Sequence, residues 1–117
     1  IPRLQMLFDR WLAWERSETV PGGCVFIHAS VELDDHPGPV RNAVAAWQRQ
    51  WRDAMGKAAA IAVGERHFRT TLDTGEFAFR MSGIFLAYYH AKRLLADERA
   101  EALARSAFTS LLEWASP

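Results

Sequence analysis

Residues 77–95, FAFRMSGIFLAYYHAKRLL, constrain the fold more than any other stretch. At 100° per residue on a helix they present two apolar faces. One stripe runs through Phe77, Met81, Ile84, Phe85, Tyr88 and Leu95. The other, nearly opposite, holds Phe79, Gly83, Leu86, Ala87, His90 and Leu94, with seams at Ser82 and Arg93 on one side and Arg80 on the other. A surface helix of a monomer carries one such stripe, so this helix is expected to be covered twice. One face can go to the domain's own core. The second asks for more of the same chain or for a second copy of it.

The chain is 117 residues long, which fits one domain around one core. Lys plus Arg (14) balances Asp plus Glu (14), so no overall field favours nucleic acid or acidic lipid. The single cysteine rules out an intrachain disulfide and suits a reducing cytoplasm. No apolar run approaches the roughly 18 residues that span a bilayer, so no membrane partner is expected. The sequence starts Ile-Pro without a methionine, and the expectation is a piece of a longer protein.

Taken in order, residues 4–16 read as a helix, with Leu4, Leu7, Phe8, Trp11 and Trp14 or Glu15 in the i, i+3, i+4 rhythm. Residues 19–23, TVPGG, end it. Residues 24–34 form a short element of ambiguous period, read as helix from its all-helical setting. Residues 35–39, DHPGP, break the chain, and Pro39 suits the first turn of the next helix. That helix is the longest: Val40, Val44, Trp47, Trp51, Ala54, Met55, Ala58, Ile61 and Ala62 hold one stripe for about six turns. Residues 64–72 turn, and Asp73 or Thr74 caps the two-faced helix. After a break at Ala96-Asp97, residues 98–115 form the last helix, striped by Ala100, Leu103, Ala104, Ala107, Phe108, Leu111, Leu112 and Ala115.

The expected fold is therefore all-α, with five helices. Its last two are rich in small residues (Ala78, Gly83, Ala87 and Ala91; Ala100, Ala104 and Ala107), which let helix axes approach closely. Two such hairpins, one from each subunit of a homodimer, can build a four-helix bundle. The interface expected from this is Phe79, Gly83, Leu86, Ala87, His90 and Leu94 with Ala104, Ala107, Phe108 and Leu111.

The order of signals resembles a known family. A Pro-Gly-Gly-Cys turn (residues 21–24) precedes VELDDHPGPVR (residues 31–41), which leads into the long helix carrying Trp47. GERHF (residues 64–68) follows, and then the aromatic helix with Phe77, Gly83 and Tyr88-Tyr89-His90. Over nearly the whole chain this resembles the C-terminal regulatory domain of TetR-family transcriptional repressors. The resemblance implies a ligand-sensing, dimerising domain whose operator DNA is bound by a separate N-terminal helix-turn-helix domain. No recognition-helix signature appears in these residues, so this chain by itself is not expected to bind DNA specifically.

Bulky side chains from several helices are expected to converge on a small apolar or aromatic effector: Trp11, Trp14, Ile27, His28, Val31, Trp47, Trp51, Met55, Met81, Phe85 and Tyr88. Simple core packing is the alternative for any one of them. Cys24, His28 and Glu32 lie four apart and are each plausible zinc ligands, but no fourth ligand is visible, and neither a metal nor a cofactor is expected. Cys24, packed and inert by default, also follows two glycines at a helix start, where a redox role is the rival reading. An enzyme is not expected: the Glu-x-x-His pairs of a di-iron bundle, a nucleophile–base motif and a phosphate-cradling glycine loop are all missing. The rival from another class is a helical dimerisation module with a filled core.

Overall fold

A computed structural model describes residues 2–16, with side chains over 3–13, and residues 37–117. Among the described residues there are four helices and no strand: α1 (Pro2–Arg16), α2 (Pro39–Gly64), α3 (Thr74–Arg93) and α4 (Ala100–Ala115). The five helices expected from the sequence are thus four here, and the short second element at residues 24–34 lies outside the described residues.

α1 buries Leu4, Phe8, Trp11 and Leu12, the i, i+4, i+7, i+8 set of one helix face. Gly38, at φ 155°, turns the chain into Pro39 with a backbone geometry that L side chains rarely adopt. Pro39 then opens α2 where its missing N–H costs nothing. The 26 residues of α2 span about 39 Å. Its buried positions, Met55, Ala58, Ala59 and Ala62, all fall in its C-terminal half, while Val40 and Ile61 are exposed.

α2 ends in a Schellman motif. Arg66 takes the left-handed conformation (φ 64°), its N–H donates to the Val63 carbonyl, and the His67 N–H reaches back to Ala62. Phe68 follows into the core and packs on Phe77 at 5.2 Å between ring centroids. Asp73 then caps α3: its Oδ1 accepts from the backbone N–H groups of Gly75 (2.9 Å) and Glu76 (3.1 Å). The connection is also tied to the far end of the chain. The Arg69 backbone N–H donates to the Ala115 carbonyl at 2.8 Å, and its guanidinium donates to the Trp114 carbonyl. These bonds satisfy carbonyls that the last turn of α4 leaves unpaired. Arg69 and Arg80 both stack on the Trp114 indole, at 4.5 and 4.2 Å from its centroid.

α3 is the centre of the fold, packed between α2 and α4. Phe77, Ala78, Met81, Phe85 and Tyr88 are its buried residues. α1 reaches both α3 and α4, because Phe8 stacks on Phe85 (5.8 Å) and on Phe108 (4.3 Å). Arg105 of α4 donates to Asp9 of α1 at 2.8 Å, a bond that raises the arginine pKa from its ordinary value. This pair is exposed, so it adds little to stability. One inward position of α3 differs from the sequence reading: the helix stops at Arg93, which leaves Leu95 beyond it and 60% exposed. None of the described helices is long and apolar enough to cross a membrane.

Candidate ligand cleft and association face

The inner stripe of α3 meets the tryptophans of α1 and α2. Trp11 lies on Phe85 with centroids 4.3 Å apart and meets Tyr88 edge-on at 5.4 Å. From the other side Trp51 approaches Phe85 at 6.0 Å. One turn earlier on α2, Trp47 lies parallel to Trp51, at 1° and 6.3 Å, because residues four apart share a helix face. Between these rings is a cleft of about 40 Å³, whose walls also include Gln48, Ser82 and Leu86. Trp47 and Trp51 are half-buried, whereas Trp11 is buried.

The structure thus brings together Trp11, Trp47, Trp51 and Phe85 of the expected ligand set, with Tyr88 beside them. Met55 and Met81 are fully buried in the core and do not line the cleft. The Trp14 side chain, Ile27, His28 and Val31 lie outside the described residues, as do Cys24 and Glu32. Gln48 and Ser82 were missed by the sequence reading. Each sits at the border of an apolar stripe, and a periodicity search passes over polar residues at such borders.

The other face of α3 is open in the single chain. Phe79, Leu86 and Leu94 are 64%, 48% and 72% exposed, and Gly83, Ala87 and His90 are exposed with them. This face has two flanks. Towards α2, Phe79 lies under the Arg52 guanidinium at 5.1 Å, and Leu86 borders the tryptophan cleft. Towards α4, Gly83, Ala87 and Ala91 line one wall of an apolar groove of about 730 Å³, with Leu103, Ala107 and Leu111 opposite and Arg80 and Trp114 beside them.

The groove adds Leu103, 44% exposed, to the residues expected at an interface. It also changes the placing of Phe108. That ring stands in the interior against Phe8 and does not line the groove, because α1 covers it. Ala104 and Leu111 are nearly buried within the chain and form part of the groove floor.

Residues 1–108 match the family model described as tetracyclin repressor-like, C-terminal domain. The chain belongs to this family. The match runs from α1 into α4 and so takes in both the aromatic cleft and most of the groove. It places a tetracyclin repressor-like C-terminal domain among transcription regulators. A search among curated proteins finds no match.

Proposed function

We infer that this chain is the effector-binding and dimerisation domain of a TetR-like transcriptional repressor. A small apolar or aromatic ligand binds at the tryptophan cleft, and the α3/α4 faces of two copies associate as a four-helix bundle. In the full regulator, effector binding alters operator binding by an N-terminal helix-turn-helix domain that these residues do not include.

One observation supports this most directly: a single helix borders both sites. Ser82, Phe85 and Leu86 of α3 face the cleft, while Gly83 and Ala87 face the groove. A ligand wedged against α3 therefore pushes on the element that a second subunit would grip. It shifts the dimer only through unequal affinity for two subunit arrangements. Both occupants suit the chemistry. The cleft offers flat aromatic walls, and the groove is lined by glycine and alanine, which admit a neighbouring helix closely.

The small enclosed volume of the cleft favours a second reading, a dimerisation module without a ligand. A thermal-shift screen with apolar and aromatic compounds separates the two. A bound ligand raises the melting temperature by mass action, by about 2.7 kcal/mol of stability at one hundred times Kd. A dimer that no compound stabilises supports the module. A protein that stays monomeric at micromolar concentration contradicts both.

A further inference from the structure

We propose that the tryptophan cleft selects an uncharged planar aromatic ligand bearing a hydrogen-bonding group, with Gln48 and Ser82 as the residues that recognise that group. This rests on the cleft being the effector site, as inferred above.

The walls set the shape. Trp47 and Trp51 are parallel to within 1°, with centroids 6.3 Å apart, so two successive turns of α2 present rings of one orientation. Parallel flat surfaces favour a flat partner, which stacks offset or edge-on. With about 40 Å³ between the walls, the ligand lies along the tryptophan faces and is not swallowed in a deep cavity.

The polar content of the walls sets the charge. No Asp, Glu, Lys or Arg lines this cleft among the described residues, whereas the α3/α4 groove carries Arg80, and a shallow groove between α2 and the start of α3 carries Arg52, Asp53 and Lys57. Against these described walls an ionised ligand gives up water without meeting a counter-charge. Among the described residues Gln48 and Ser82 are the polar side chains of the lining, one from α2 and one from α3, and both are half-buried. Neither side chain has a hydrogen-bond partner among the described residues. An amide and a hydroxyl both donate and accept, so together they suit a phenol, a carbonyl or a ring N–H.

The test uses the 117-residue chain and four probes of similar size: 2-naphthol, naphthalene, 2-naphthalenesulfonate and N-methylquinolinium. Indole N–H signals are followed by heteronuclear NMR. Trp114 lines the other groove and reports any binding there. The expected result is that 2-naphthol moves the Trp47 and Trp51 signals and binds about tenfold more tightly than naphthalene, with both charged probes weaker still. Gln48→Leu and Ser82→Ala should each narrow the naphthol–naphthalene gap, with circular dichroism confirming the fold. Equal binding of naphthol and naphthalene, a gap that survives both substitutions, or a charged probe that matches naphthol overturns the proposal and leaves the cleft standing. If no probe moves Trp47 or Trp51, the cleft itself fails as the effector site, and this selectivity fails with it.

Discussion

The rings of Phe8 and Phe108 lie 4.3 Å apart and 2° from parallel, joining the first helix to the last. One hundred residues separate them in the chain, and both are almost fully buried. This stack fixes α1 on α4 and brings Trp11, a turn further along α1, onto Phe85. Phe108→Ala should therefore destabilise the fold by about 3–5 kcal/mol, the range for an aromatic core truncation. Urea unfolding monitored by circular dichroism measures it. A loss below about 1 kcal/mol would place this ring outside the core.

Gly83 offers a test of the association face that folding does not confound. A Cβ placed there meets no atom within 4 Å in the single chain. Leucine is also the better helix former, by nearly 1 kcal/mol. If the proposed dimer forms through this face, Gly83→Leu should keep its helical signal yet shift the protein towards monomer in light scattering, because the added bulk would stand where the partner helix comes close. An undiminished dimer would mean that Gly83 is not at the crossing.

Trp51 touches the cleft with less commitment to the core than Trp11 has, since it is only half-buried. Trp51→Ala should weaken the quenching of tryptophan fluorescence by an aromatic ligand, and Phe85→Ala should weaken it too. Loss of one stacked ring corresponds to roughly a threefold to tenfold fall in affinity. Unchanged affinity in both variants would remove the ligand from this cleft.

Arg66 closes α2 in a left-handed conformation that favours glycine. Its side chain is exposed. Arg66→Gly should raise stability by about 0.5–1 kcal/mol, since relief of the Cβ strain outweighs the added freedom of the unfolded chain. Thermal melting measures the gain. A lower melting temperature would show that the arginine side chain contributes more than its backbone strain costs.

Much of the fold was legible from periodicity. The apolar rhythm of α1, the run of α2 from Pro39, the Asp73 cap and the break at Ala96-Asp97 each depend on neighbours within a few residues, and local rules govern such features. The two-faced character of α3 was equally legible, since Phe77 and Phe79 must point apart on any helix.

Which face turns inward was decided by partners distant in sequence. Phe77 and Phe85 are interior because Phe68, Phe8 and Trp11 reach them, whereas Phe79 stays at the surface with the Arg52 guanidinium of α2 over its ring. The same holds for Phe108, whose stripe on α4 fits an interface as well as a core until Phe8 arrives to cover it. Gln48 and Ser82 acquire a shared role only when α2 and α3 bring them to one cleft. Periodicity along one helix determines which residues point together. It carries no information about what they meet, because long-range packing depends on contacts between helices that are remote in the chain.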